Sequence, residues 1–129
     1  FVLENYLGQG EKILVVDDVL EQREISSIIL SKLGYAVETV SSGERAIDYL
    51  RTHSVDLLIL DMIMDPGIDG LDTYKKVLEI NPHQKAIIAS GYSETERVKE
   101  AQRLGAQRYV RKPYTIEKIG TAVKKELKK

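Results

Sequence analysis

Three short apolar runs constrain this chain most: Ile13-Leu14-Val15-Val16, Leu57-Leu58-Ile59-Leu60 and Ala86-Ile87-Ile88-Ala89. None is interrupted by a polar residue. A strand with one wet face alternates polar and apolar side chains, whereas a strand covered on both faces reads as a continuous apolar run. Each run ends abruptly in polar residues: Asp17-Asp18, Asp61 and Ser90-Gly91. All are far below the roughly 20 residues needed to span a bilayer.

Between the runs the apolar period changes to that of a helix. Ile25, Ile28, Ile29 and Leu33 form one stripe, which Gly34 is placed to terminate. Tyr35 to Val40 reads as a strand. Ser41-Ser42-Gly43-Glu44 has the form of a capping box, Ser followed three residues later by Glu, ahead of Ala46, Ile47 and Leu50. After Asp61, a loop with Pro66, Gly67 and Gly70 precedes a stripe of Leu71, Tyr74, Val77, Leu78 and Ile80, stopped by Asn81-Pro82. Ser93-Glu94-Thr95-Glu96 is a second capping box before Val98, Ala101 and Leu104, with Gly105 as the stop. Tyr109-Val110-Arg111 is a short fifth strand, and Ile116, Ile119, Val123 and Leu127 line a last helix with a lysine-rich end. Strand then helix, five times, predicts an α/β fold with a parallel sheet between helix layers.

The 129 residues suit one domain, and 43% hydrophobic content supplies a core. Cysteine is absent, which excludes disulfides and thiol chemistry and leaves oxygen or imidazole as metal ligands. A net charge of -1 leaves no electrostatic footprint for nucleic acid or an anionic membrane. His53 and His83 stand in no metal-ligand spacing, and Gly8-Gln9-Gly10 lacks the third glycine of a dinucleotide loop. Asp65 and Asp69 suit turn and capping duties. Residues 1–11 read as a linker or the tail of an upstream domain, with the domain itself at 12–129.

In an open parallel sheet, ligands bind outside the carboxyl ends of the strands. Asp17 and Asp18 end the first strand, Asp61 the third, Ser90 the fourth and Lys112 the fifth, so all converge on one edge. Two unit charges about 4 Å apart interact by about 4 kcal/mol at an effective dielectric of 20, so three carboxylates together require a cation. Mg²⁺ is suited to one or two carboxylates plus phosphate oxygens and water. A hard cation, the Lys112 ammonium and the Ser90 hydroxyl aimed at one spot suit a phosphoryl group in transfer, with a carboxylate as nucleophile. A phosphohydrolase with an Asp nucleophile would place its second Asp two residues on, where Ile63 stands.

The set Asp17-Asp18, Asp61, Ser90 and Lys112-Pro113 resembles the receiver domain of two-component response regulators, over roughly residues 12 to 128. The resemblance implies a flavodoxin-like (βα)₅ three-layer sandwich with strand order 2-1-3-4-5 and a cis Lys112-Pro113 bond. It implies Asp61 as phosphoacceptor and Asp18 as direct Mg²⁺ ligand, with Asp17 acting partly through water and the Ile63 backbone carbonyl completing the metal site. Ser90 would be the switch hydroxyl, Tyr109 the aromatic residue that follows it, and Lys112 the ligand of a phosphoryl oxygen. Ile63 and Tyr92, two residues after Asp61 and Ser90, would flank the phosphoryl group and shield it from water. One departure stands out: the family pattern after the acceptor is Met-Pro, one residue, an apolar residue, then Asp-Gly, whereas here Asp65 precedes Pro66 and lengthens the loop by one residue.

The lead-in Glu4 to Glu11 resembles the linker before C-terminal receivers of hybrid sensor histidine kinases. With a start at Phe1 and an end just after the fifth helix, it makes a receiver at the end of such a kinase the expected context. A stand-alone regulator, or a module that binds protein without phosphorylation, is the alternative. The implied partner is a histidine kinase or phosphotransfer domain in the cytoplasm. A homodimer through the last two helical units is compatible with this reading, and the near-neutral charge balance implies no direct contact with nucleic acid or membrane.

Overall fold

The structure, a computed structural model, describes residues 3–91 and 95–129. Five strands, β1 Lys12–Val16, β2 Ala36–Val40, β3 Leu57–Asp61, β4 Ala86–Ser90 and β5 Arg108–Arg111, alternate with five helices. The helices are α1 Leu20–Lys32, α2 Gly43–Thr52, α3 Gly70–Ile80, α4 Glu96–Leu104 and α5 Ile116–Leu127. All strand pairs are parallel and the order is β2-β1-β3-β4-β5, as the family resemblance implied.

The three apolar runs are the central strands, and the pleat divides their side chains between two cores. Leu14, Val16, Leu58, Leu60 and Ile88 face α2, α3 and α4, meeting Ala46, Leu50, Leu71, Tyr74, Val77 and Val98. Ile13, Val15, Leu57, Ile59, Ile87 and Val110 face α1 and α5, meeting Leu30, Leu33, Ile119 and Val123. Every residue of β3 and β4 is buried, which is why those strands read as unbroken apolar runs.

The stripe expected on α1 is only half right. Leu33 is buried and Ile29 packs at the core edge, but Ile25 is 46% and Ile28 58% exposed. The buried line runs through Ser26, Leu30 and Leu33 instead, at helical spacing. A serine inside that line hid it from a hydrophobicity count.

The caps also sit differently from the sequence pattern. Ser42, not Ser41, caps α2 by accepting from Arg45 N–H at 3.1 Å, so Glu44 is not the third residue of a capping box. Thr95 caps α4 through Val98 N–H, while Ser93 and Glu94 lie outside the described residues. Asp69 and Thr115 cap α3 and α5.

Residues 3–11 lie against the domain. Leu3–Tyr6 form a 3₁₀ turn beside α5, and Lys124 Nζ donates to Asn5 O at 3.2 Å. Gly8 N–H donates to Leu33 O and Gly10 N–H to Gly34 O, at 2.6 and 2.8 Å. Tyr6 packs on the core between α1 and α5. No helix among the described residues is long and apolar enough to cross a membrane.

Candidate functional site

Asp61 is the last residue of β3 and is only 6% exposed. Its backbone is fixed from both sides. Met62 N–H donates to Ala89 O on β4, and Gly70 N–H donates to Met62 O. Gly70 is pressed so close that a Cβ there would stand 2.6 Å from Asp61 O, so only glycine lets α3 begin against the strand end.

Asp17 follows β1 and is buried. Its Oδ1 accepts from Val19 N–H at 2.9 Å, its Oδ2 accepts from Lys112 Nζ at 2.6 Å, and Arg23 donates to its carbonyl at 2.8 Å. Asp18 is half-buried, and its Oδ2 accepts from the Asp65 N–H at 3.3 Å. Asp17, Asp18 and Asp61 each bring one carboxylate oxygen within 4.8 Å of the others. Lys112, just past β5, has its ammonium 3.4 Å from Asp61 Oδ1.

Burial pushes the Asp61 carboxyl up to about 7; Lys112 draws it down, and Asp17 and Asp18 push it back up. Burial opposes the charge on Lys112, yet its hydrogen bond to Asp17 and the charges of Asp61 and Asp17 raise its pKa above the ordinary value. Lys112 thus pairs with Asp17 and Asp61, while Asp18 adds a third carboxylate to the cluster. An all-oxygen donor set with a charge deficit suits a hard divalent cation such as Mg²⁺, so the residues present fit that ion.

The sequence expectations meet here. Asp17, Asp18, Asp61 and Lys112 converge, and the Lys112-Pro113 bond is cis. Ser90 ends β4 with its side chain buried, and Tyr109 on β5 is half-buried against the α2–α4 core. Ile63 is 49% exposed at the wall of an open cleft of about 600 Å³ that also includes Asp18, Val19, Gln22, Asp61, Lys112 and Pro113. Tyr92 lies outside the described residues. Val19, Gln22 and Arg23 were not foreseen: they reach the site because the first turn of α1 starts beside Asp18.

Residues 13–124 match the family model of the response regulator receiver domain. Sporulation initiation phosphotransferase F of Bacillus subtilis is 36% identical over 118 residues, 92% of this chain and 94% of that protein. The chemotaxis protein CheY of Thermotoga maritima is 29% identical over 90% of this chain and 97% of its own length. Among solved structures, a CheY-like receiver domain protein from Methanospirillum hungatei superposes with a TM-score of 0.86 at 24% identity, over 93% of this chain and 95% of that one, and shows the same fold. The response regulator TrrA from Thermotoga maritima, solved in complex with Mg(2+)-BeF, gives 0.80 at 32% identity, over 89% of this chain and 97% of its own.

Proposed function

Because this chain belongs to the receiver domains of two-component response regulators, we propose that it takes a phosphoryl group from a phosphohistidine onto Asp61 and changes conformation in response. The observation that carries this reading is the buried Asp61 carboxylate in an open cleft, with two further carboxylates and one ammonium around it. An Asp61 oxygen attacks phosphorus, the bond from phosphorus to the imidazole nitrogen of the donor breaks, and its electron pair returns to the ring. Asp18, Asp61 and the Ile63 backbone carbonyl would hold Mg²⁺, with Asp17 partly through water. When bound, Mg²⁺ offsets the negative charge gathered on acceptor and phosphoryl oxygens. Lys112 binds a phosphoryl oxygen as its ammonium moves from Asp17.

A phosphoryl group adds roughly 1.5 to 2 negative charges near neutral pH. Ser90, at the end of the neighbouring strand, is drawn toward it, and Tyr109 turns inward in its wake. The face built from α4, β5 and α5 carries that change outward. The donor is a histidine kinase or phosphotransfer domain, and the apolar residues Leu20, Ile25 and Ile28, exposed on α1, the helix whose start at Val19 and Gln22 lines the cleft, support a protein docking on that helix.

The parent architecture is a separate matter. The lead-in supports a hybrid sensor histidine kinase, whereas relatives matched over 94% and 97% of their own length support a single-domain regulator. Sequencing the gene upstream of Phe1 distinguishes them. The chemistry is tested with acetyl phosphate and Mg²⁺: the protein is expected to acquire an acid-stable, base-labile label that Asp61→Asn abolishes. Label retained on Asp61→Asn overturns the assignment.

A further inference from the structure

The loop between β3 and α3 carries the additional residue Asp65, and its extra length is used to bridge two other elements. The Asp65 N–H donates to Asp18 Oδ2 at 3.3 Å. Three residues on, the Ile68 N–H donates to Glu44 Oε2 at 3.1 Å. Between them Gly67 has φ +110°, and a Cβ there would stand 2.7 Å from Glu44 Oε1, so glycine is what allows the loop to close on that carboxylate. Glu44 lies in the first turn of α2, and that turn is anchored by the Ser42 cap and the buried Gly43. The loop, the start of α2 and Asp18 enclose a cleft of about 520 Å³ that shares Asp18 with the acceptor cleft.

We propose that Glu44 is a positioning residue for the metal ligand Asp18. It acts through the loop: α2 fixes Glu44, Glu44 fixes the backbone at Gly67 and Ile68, and the loop in turn keeps the Asp65 N–H on one Asp18 oxygen. That fixes the Asp18 carboxylate in the orientation that brings an oxygen within 4.8 Å of its counterparts on Asp17 and Asp61. Asp65 contributes through its backbone, so its own carboxylate is dispensable for this role. The inference rests on the Mg²⁺ reading above and assigns Glu44 a duty beyond the first turn of a helix.

Mg²⁺ alone, titrated calorimetrically into the full chain, tests it. Partners that orient metal ligands typically change affinity 10- to 100-fold when removed. The contact on Asp18 is long and exposed, so Glu44→Ala is expected to weaken Mg²⁺ binding about tenfold, the low end of that range. Glu44→Gln retains an acceptor oxygen without the charge and is expected to bind as the wild type does, as is Asp65→Ala. Amide exchange at Asp65 and Ile68 should quicken in Glu44→Ala and not in Glu44→Gln. Wild-type affinity in Glu44→Ala overturns the proposal, and so does Glu44→Gln as weak as Glu44→Ala, because charge rather than positioning would then be responsible. A wild-type chain that binds no Mg²⁺ overturns the metal reading together with it.

Discussion

Lys112 stands closer to Asp17 than to Asp61: its Nζ is 2.6 Å from Asp17 Oδ2 and 3.4 Å from Asp61 Oδ1. The lysine therefore shares the acidic cluster with any metal that enters it, and competes for the same oxygens. Lys112→Met separates these effects. Removing a charged donor aimed at a transferring group costs about a hundredfold in rate, so labelling by acetyl phosphate is expected to fall by about that factor. Mg²⁺ binding is expected to tighten, because Asp17 and Asp61 lose a competing cation. Calorimetry and labelling kinetics on the same variant check both directions.

The raised Asp61 pKa makes the metal-free protein sensitive to pH. Folded Asp61 keeps its proton up to about pH 7, whereas the unfolded chain releases it near the ordinary carboxylate value of 3.8. Across that window the native state binds more protons than the unfolded state, so its stability falls as pH rises. The contribution is fully present below the unfolded pKa and is lost as pH climbs through about 7. Asp61→Asn is expected to stabilise the metal-free protein at pH 8 by on the order of 3 kcal/mol and to leave it little changed at pH 4. Urea unfolding at the two pH values measures this, and Mg²⁺ should close the gap by stabilising the wild type.

The features legible in the sequence were those carried by local pattern. The buried strands are legible as apolar runs, and the placing of Asp17, Asp18, Asp61, Ser90 and Lys112 along one edge is legible because each stands at or just past a strand end in a sheet whose topology brings such ends together. What escaped depends on contacts between distant segments. Ile25 and Ile28 fit a helical stripe as well as Leu30 does, and only the docking of α1 on the sheet chose the line containing Ser26. Glu44 looked like a capping residue because its partner Ile68 is 24 positions away. Tyr6 and Gly8 read as lead-in because nothing local reveals the groove between α1 and α5 that receives them.

Ser26 and Tyr114 are 88 residues apart and share a hydrogen bond between their hydroxyls. Ser26 is buried on α1, and Tyr114 follows Pro113 in the loop that carries Lys112, so the bond ties α1 to that loop. Tyr114→Phe leaves the Ser26 hydroxyl buried without this partner and is expected to cost about 1 to 3 kcal/mol. Removing both hydroxyls, as Ser26→Ala with Tyr114→Phe, should cost less than the sum of the single changes, since no polar group is then left buried without its partner. A double-mutant cycle by chemical denaturation measures the coupling, and additive losses would show that the bond contributes nothing.

The exposed face of α1 allows docking of a donor protein to be separated from the chemistry at Asp61. Leu20 is 54%, Ile25 46% and Ile28 58% exposed, and Val19, where α1 begins, lines the cleft at Asp61. Exposed apolar side chains grouped on the solvent side of one helix mark a docking surface. Ile28→Glu removes no core contact, so stability should stay within about 0.5 kcal/mol of the wild type. A small donor needs no docking, and acetyl phosphate labelling should be unchanged. Transfer from a phosphohistidine protein should slow by about tenfold or more, the loss typical of a buried apolar contact at an interface centre. Running the two donors side by side on one preparation makes the comparison internal: equal slowing with both would place the defect in the site at Asp61 and remove α1 from the docking surface.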